Sequence, residues 1–380
     1  MRNKVNGTEP GSQQRHVQGH AIAPAVVLRG RGAWREARPT VAALGRRPLL
    51  LGRSPATREL RAELARDLQA CGVEPEMAEL QHDCCESDLK SLAQHARDAS
   101  CDAVLAAGGG KVLDAGKLLA HRLGLPCITV PTSAATCAGW TALANIYSPE
   151  GAFQGDVALN QCPDLLVFDH DLVQQAPART LASGIADAMA KWYEASVSSG
   201  ASQDGLVQQA VQQARVLRDQ LLLEGPEALE HPGSEAWVRV AEAAALTAGL
   251  IGGIGGARCR TVAAHAVHNG LTQLQATHGV LHGEKVGYGI LVQLRLEEVV
   301  GGNRLAAQAR RQLLPFFQQL GLPVALADLG LASASLHELE AVCAFACRPG
   351  SDLHHLPFAV EPSDLLAALV STSGASQRQG

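Results

Sequence analysis

The sequence predicts an α/β domain followed by an all-α domain. Its 380 residues are too many for one ordinary hydrophobic core and suit two domains. Up to about residue 175, short apolar runs alternate with amphipathic segments, which is typical of a parallel sheet with helices on both faces. Beyond it, long Ala- and Leu-rich segments carry apolar residues at helical spacing. We therefore expect a flexible extension at 1–19, an α/β domain at 20–175 and a helical domain at 176–380, with the active site between the domains.

Taken in order, the apolar runs of the first half indicate four strands, at 48–51, 103–107, 127–130 and 165–168. Two amphipathic segments between them, 57–70 and 88–99, indicate helices that cover the sheet. In the second half, helical periodicity extends over 181–196, 206–223, 236–249, 260–272, 284–300 and 305–320.

The composition excludes several classes of protein. The net charge is −5 with both signs interspersed, which provides no basic surface for nucleic acid. No uninterrupted apolar run approaches the roughly 18 residues that cross a bilayer, and the N-terminus lacks the apolar core of a signal peptide. The ten cysteines are scattered over a long chain, which favours free cytosolic thiols over a disulfide framework. We expect a cytoplasmic protein without a membrane or nucleic-acid partner.

A run of three glycines is the clearest candidate for a ligand-binding turn. The segment 102–117 passes from an apolar strand directly into Gly108, Gly109 and Gly110 and then into a helix. Glycines let the backbone approach a ligand closely, and the free amides at a helix N-terminus suit a pyrophosphate. The turn is not the G-x-G-x-x-G fingerprint of the ordinary Rossmann fold. From these residues alone, a tight strand–helix turn without a ligand remains the alternative interpretation.

The stretch GGGKVLDAGK at 108–117 resembles the GGGKxxDxxK nucleotide motif of the glycerol dehydrogenase and iron-containing alcohol dehydrogenase superfamily. The resemblance implies an N-terminal nucleotide-binding domain in which Gly108, Gly109, Gly110, Lys111 and Asp114 contact the coenzyme. The following segment, PTSAAT at 131–136 and TAL at 141–143, matches the family segment that contacts the nicotinamide. By position, that role falls on Thr132, Thr136, Thr141, Leu143 and Tyr147.

Three further stretches resemble the metal-binding segments of this superfamily: GIADAMAKWYEA at 184–195, VAAHAVHNGLT at 262–272 and LHGEKVGYG at 281–289. The resemblance implies that Asp187, His265 and His282 hold a divalent metal. One carboxylate and two imidazoles suit Zn²⁺ best, with Fe²⁺ as the alternative, and three ligands leave a position open for substrate oxygen. His268 shares a helix face with His265 and is expected to face the substrate as a proton donor.

The substrate class depends on a narrower resemblance. Glycerol dehydrogenases carry S-T-D-A after Pro-Thr, whereas Cys137 replaces that aspartate here. The stretches TSAATCAGWT, IGGIGGARCRTVAAHAVHNGLT, HGEKVGYGILVQ and RPGSDLHHLP resemble the hydroxycarboxylate dehydrogenase A group. That resemblance implies reduction of 2-oxo acids such as 2-oxobutanoate and 2-oxoglutarate to 2-hydroxy acids. Lys191, four residues after Asp187, and Arg260, five before His265, are the cations expected to bind the substrate carboxylate.

The coenzyme choice depends on the end of the first predicted strand. NAD-specific relatives carry Asp after the glycine that ends this strand, whereas this chain has Arg53, which suits the 2′-phosphate of NADP(H). NAD(H) stays open if Arg53 is only a solvated loop residue. Two other functions remain alternatives: an NAD-dependent glycerol or polyol dehydrogenase, and a sugar-phosphate cyclase related to dehydroquinate synthase. The cyclase needs a dense basic cluster for phosphate, which is not evident near the metal motifs. We expect a homo-oligomer that acts on a small molecule.

Overall fold

The computed structural model describes residues 19–376, with side chains described as far as residue 372. It confirms the predicted fold class, a parallel α/β domain followed by a helical part. The extension predicted at 1–19 lies outside the described residues except for Gly19. The strands are β1 (Val26–Gly30), β2 (Pro48–Gly52), β3 (Glu76–Glu79), β4 (Ala103–Gly108), β5 (Cys127–Pro131), β6 (Leu143–Tyr147), β7 (Phe153–Ala158) and β8 (Leu165–Asp169).

Six of these strands form one parallel sheet in the order β1-β8-β5-β4-β2-β3. The four predicted strands lie at its centre, where every residue is buried. The edge strands β1 and β3 were not predicted; β3 has the sequence EMAE without an apolar run, whereas β1 begins with a short apolar run at 26–28, which was overlooked. Strands β6 and β7 form a separate antiparallel hairpin, which was also not predicted. The four strands that were predicted are those buried on both faces.

Helices cover both faces of the sheet and fill the C-terminal half. Leu49 and Leu51 pack on one face with α3 (Glu86–Asp98) and α4 (Gly110–Leu123), whereas Leu50 packs on the other face with α1 (Ala33–Leu44) and α2 (Arg58–Gln69). The helices are α1 (Ala33–Leu44), α2 (Arg58–Gln69), α3 (Glu86–Asp98), α4 (Gly110–Leu123), α5 (His170–Val173), α6 (Ala178–Ser199), α7 (Gly205–Glu230), α8 (Glu235–Glu242), α9 (Ala248–Gly255), α10 (Ala263–Leu271), α11 (His282–Val299), α12 (Arg304–Gln319), α13 (Leu336–Ala346) and α14 (Pro362–Ser376).

Helices α8 and α9 are joined by a π-helical turn, Ala243–Thr247. The combined run, Glu235–Gly255, is long and apolar enough to cross a membrane by length and composition alone. However, 61% of its most apolar window is buried inside the protein, and both helices pack against α7. A core helix passes the same test, and this run contributes to the largest hydrophobic cluster.

Two close contacts hold the halves of the molecule together around the site. On α6, a Cβ at Gly184 would lie 1.9 Å from the carbonyl oxygen of Ala134, so only glycine lets this helix approach the loop after β5. On the hairpin, the Phe153 amide donates to Thr272 Oγ1 at 3.0 Å and its carbonyl accepts from Gln273 Nε2 at 3.0 Å. The loop after β5 and the hairpin are therefore both tied to the helical part.

Candidate active site

A cavity of about 800 Å³ lies between the carboxyl ends of the parallel strands and helices α6, α10 and α11. This is where open α/β sheets bind ligands. All predicted site residues except His268 line it. They are Arg53, Gly108, Gly109, Gly110, Lys111, Asp114, Thr132, Thr136, Cys137, Thr141, Leu143, Tyr147, Asp187, Lys191, Arg260, His265 and His282.

The glycine-rich turn forms the part of the cavity that we call the coenzyme end, together with Arg53 and Lys111. Gly109 is the N-cap of α4, and no described side chain caps the first amides of this helix. A Cβ at Gly110 would lie 2.9 Å from Thr136 Cγ2, so glycine allows α4 to approach the loop after β5. Uncapped amides at a helix N-terminus provide the donors and the positive potential that a diphosphate needs.

Two cations at the coenzyme end share one carboxylate that the sequence analysis did not identify. Asp83 accepts hydrogen bonds from Arg53 through Oδ1 and from Lys111 through Oδ2. The Arg53 and Lys111 side chains are each 42% exposed, whereas that of Asp83 is 7% exposed. Lys111 Nζ also lies 4.8 Å from the centre of the Tyr147 ring. Asp83 therefore fixes both cations from behind the cavity wall.

The remaining charged residues of the GGGKxxDxxK stretch stabilise the wall of the cavity. Lys117 Nζ lies 3.0 Å from Asp114 Oδ1 and donates to the carbonyl oxygen of Thr141 at 3.0 Å and to that of Leu143. Burial raises the pKa of Asp114, and Lys117 opposes that rise. The second lysine of the stretch therefore joins α4 to the segment predicted to contact the nicotinamide.

At the opposite end, which we call the metal end, Asp187, His265 and His282 converge. Asp187 Oδ1 lies 3.3 Å from His265 Nε2 and 3.4 Å from His282 Nε2, yet no described residue makes a hydrogen bond to this buried oxygen. A tetrahedral ion with bonds of about 2.0–2.1 Å separates its ligand atoms by about 3.3–3.4 Å. The geometry therefore fits a divalent cation, although the roles of these residues stay a prediction.

The ligand atoms at the metal end are oriented from outside. Glu194 is fully buried, and its Oε2 lies 2.6 Å from His265 Nδ1. Its Oε1 accepts hydrogen bonds from the backbone amides of Val262 at 2.7 Å and His265 at 3.0 Å. With Nδ1 occupied in this way, Nε2 of His265 is left to face Asp187. Burial alone would lower the pKa of His265, but Glu194 and Asp187 raise it to about 9, so metal binding would release a proton.

His268 does not have the expected position. Its side chain is 2% exposed and does not line the cavity, and its Nε2 lies 2.9 Å from His282 Nδ1. Its Nδ1 contacts Asn269 Oδ1 at 2.9 Å. Residues three apart on an α-helix differ in direction by about 60°, which turns His268 past the cavity towards α11. The interpretation that His268 faces the substrate is therefore replaced by one in which it orients His282.

Lys191 and Arg260 both line the cavity beside Cys137. Lys191 is 4% exposed and donates to the Arg260 carbonyl oxygen at 3.3 Å. Burial by itself would lower the pKa of Lys191, but the nearby carboxylate of Asp187 raises it above its ordinary value. Arg260 lies in the turn before α10 and not at the start of that helix, and no described residue pairs with its guanidinium.

The sequence analysis missed three residues of the site. Asn269 and Asp352 line the cavity, and Asp83 contacts Arg53 and Lys111, which lie 30 and 28 positions away in the sequence. Glu194 could have been identified from the sequence, because it follows Asp187 by seven residues and so lies on the same face of α6 two turns later.

Comparisons with known proteins identify the family of this chain. The family model for iron-containing alcohol dehydrogenase matches residues 24–170. An uncharacterised oxidoreductase of Synechocystis sp. is 56% identical over 353 residues, which cover 93% of this chain and 91% of that protein. Hydroxycarboxylate dehydrogenase A of Escherichia coli is 37% identical over 291 residues, covering 75% and 78% respectively.

A solved structure is similar over nearly the whole chain. The crystal structure of a probable glycerol dehydrogenase from Sinorhizobium meliloti superimposes with a TM-score of 0.83 at 28% identity, covering 93% of this chain and 98% of that one. The chain therefore belongs to the iron-containing alcohol dehydrogenase family, and it is a nicotinamide-dependent oxidoreductase that acts on CH–OH groups.

Proposed function

We propose that this enzyme reduces 2-oxo acids to 2-hydroxy acids, with NADP(H) preferred over NAD(H). The observation that carries the proposal is a buried lysine that lines the cavity: Lys191 is 4% exposed and lines the wall that also contains Asp187 and Cys137. A buried cation that faces a ligand site favours an anionic ligand, since the ligand's charge replaces the hydration that the cation lost on burial.

Arg260 supports the same substrate class. Its guanidinium is not paired with any described residue and lines the cavity near Lys191. A guanidinium matches a carboxylate with two parallel hydrogen bonds. The carboxyl group of a 2-oxo acid would use both cations, whereas a neutral diol would gain little from either one.

The ligand set at the metal end supports a divalent cation, and we propose Zn²⁺, with Fe²⁺ as the alternative. Asp187, His265 and His282 would hold it, Glu194 would keep His265 in the required tautomer, and His268 would orient His282. When bound, the metal would polarise the substrate carbonyl and the coenzyme would supply the hydride. Because His268 contacts His282 and does not line the cavity, we do not assign it the donation of the proton that completes the hydroxyl group.

At the coenzyme end, the amides after Gly109 would bind the diphosphate and Arg53 the 2′-phosphate of NADP(H). Thr132, Thr136, Thr141, Leu143 and Tyr147 line the cavity between this end and the metal end. We propose that they form the surface on which the nicotinamide rests.

A glycerol or polyol dehydrogenase is the second candidate, and the similarity to a probable glycerol dehydrogenase favours it. Cys137 weighs against it, because a buried thiol cannot accept hydroxyl protons as a carboxylate does; burial raises the pKa of this thiol. The sugar-phosphate cyclase alternative loses its basis, since the relatives of this chain are oxidoreductases.

The substitutions Lys191→Ala and Arg260→Ala test the proposal. A charge-assisted hydrogen bond contributes roughly 1.5–3 kcal/mol, so each should lower kcat/KM for 2-oxobutanoate about ten- to a hundredfold more than that for 2-butanone. Arg258→Ala is the matched control, because this exposed arginine lies two residues from Arg260 and does not line the cavity. If both variants slow the acid and the neutral ketone equally, these residues are structural and the proposed substrate class loses its support.

A further inference from the structure

Asp83 is a buried carboxylate whose two oxygens bind two different cations of the cavity wall. It lies in the turn between β3 and α3, and its side chain is 7% exposed. Its Oδ1 accepts from Arg53, which follows β2, and its Oδ2 accepts from Lys111 in the first turn of α4. Asp83 does not line the described cavity, although both of its partners do. It therefore acts on a ligand through these two cations.

The surroundings of Asp83 keep it away from solvent. A Cβ at Gly151, in the turn of the β6–β7 hairpin, would lie 3.5 Å from Asp83 Oδ2 and 3.6 Å from His278 Nδ1 of the helical part. Burial lowers the pKa of Lys285 of α11 in the helical part, and the negative charge of Asp83 opposes that shift. Since the hairpin turn and the helical part enclose it, Asp83 satisfies its charge through Arg53 and Lys111 and not through water.

We infer that Asp83 is a specificity-determining residue for the coenzyme, because it competes with a 2′-phosphate for Arg53. The inference rests on the proposed role of Arg53 in NADP(H) binding. NADPH and NADH differ only in the 2′-phosphate, so any effect of Asp83 through Lys111 on the common diphosphate cancels in the ratio of their affinities. The ratio then reports effects on the 2′-phosphate, and the Arg53→Ala background separates competition for Arg53 from direct repulsion by Asp83.

The direction of the effect follows from charge. While Asp83 is paired with Arg53, part of the positive potential that a 2′-phosphate would meet is neutralised. Asp83→Asn keeps the shape of the side chain but removes the negative charge, so Arg53 becomes available to the phosphate. Because the Arg53 side chain is 42% exposed, solvent screening limits the gain in affinity for the 2′-phosphate. We expect the ratio of dissociation constants to shift about two- to tenfold towards NADPH.

The experiment is a double-mutant cycle measured by binding. Isothermal titration calorimetry gives the dissociation constants of NADPH and NADH for the wild type, Asp83→Asn, Arg53→Ala and the double variant. Thermal melting of each protein shows that it is folded. We expect Asp83→Asn to shift the ratio towards NADPH and to have no effect in the Arg53→Ala background. Glu79→Gln is the control, because this carboxylate pairs with Arg58 and Arg61 next to the same loop and not with Arg53.

Three results would overturn the inference: an unchanged ratio in Asp83→Asn, the same shift in the Arg53→Ala background, or an equal shift in Glu79→Gln. If Arg53 does not bind the 2′-phosphate, the result is different: Arg53→Ala then leaves the ratio of the NADPH and NADH dissociation constants at its wild-type value. In that case both the role of Arg53 and the competition by Asp83 are rejected. The proposed reduction of 2-oxo acids is unaffected by either result.

Discussion

At the coenzyme end of the cavity, the side chains of Arg53 and Lys111 are 42% exposed, whereas at the metal end those of His265 and Asp187 are 9% and 4% exposed. The coenzyme end presents uncapped backbone amides after a glycine-rich turn, together with these two cations. The metal end consists mostly of buried side chains that orient one another, such as Glu194 and His265, although the side chain of His282 is 24% exposed.

This difference in exposure between the two ends predicts how each end responds to substitution. Backbone donors are unaffected by side-chain changes, and exposed cations are screened by solvent, so single substitutions at the coenzyme end should have modest effects. Buried groups that depend on each other lose their function together. We therefore expect the cost of substitution to rise steeply from the coenzyme end to the metal end.

The largest effect is expected at the ligand positions themselves. His265→Ala or His282→Ala should abolish turnover and lower the bound metal in parallel, because two ligands no longer hold a divalent ion in a catalytic geometry. Turnover and metal content measured on the same preparations check this. His354→Ala, which changes an exposed histidine outside the cavity, should behave as the wild type. Full activity in a metal-free preparation would remove the basis of the metal assignment.

A smaller effect is expected one step further from the metal. Glu194→Gln keeps the size of the side chain but weakens its bond to His265 Nδ1, and losses of about ten- to a hundredfold in metal affinity or activity are usual for such partners. Competition with a chelator measures the affinity, and kcat is measured on the metal-loaded enzyme. Glu298→Gln, a carboxylate that pairs with Arg295 away from the cavity, is the matched control. Unchanged metal affinity in Glu194→Gln would contradict a positioning role.

The smallest effects are those at the coenzyme end. Arg53→Ala should weaken NADPH binding by no more than about tenfold and leave NADH binding nearly unchanged, because only the 2′-phosphate reaches this partly exposed cation. Titration of the wild type and of the variant with each coenzyme measures the dissociation constants. A loss of binding as complete as the loss of metal in His265→Ala would break the comparison between the two ends.

The parts of this protein that could be predicted from its sequence are those carried by short contiguous patterns. The central strands were recognisable because they are buried on both faces, and the glycines at 108–110 because a strand runs directly into them. The edge strand β3 could not be found, since four residues in which Met77 and Ala78 lie between two glutamates carry no clear strand pattern.

The site, too, contains residues that short sequence patterns reveal and residues whose positions only the packed fold determines. The sequence stretches that resemble the family contain Asp187, His265 and His282, and these three side chains converge in the structure. The position of His268 depends on the rotation of α10 relative to α11, which spacing within one helix does not specify. Asp83 contributes through contacts with residues 30 and 28 positions away, and such pairings arise only from the packed fold.

A panel of substrates distinguishes a 2-oxo acid reductase from a polyol dehydrogenase. Initial rates of NADPH and NADH oxidation by the wild-type enzyme are measured with 2-oxobutanoate, 2-oxoglutarate and 2-butanone, together with glycerol oxidation in the reverse direction. Metal content is determined on the same preparation. We predict that kcat/KM for the 2-oxo acids exceeds that for the neutral ketone by about tenfold or more, and that glycerol is a poor substrate. Efficient glycerol oxidation without reduction of 2-oxo acids would contradict the proposal and identify a polyol dehydrogenase instead.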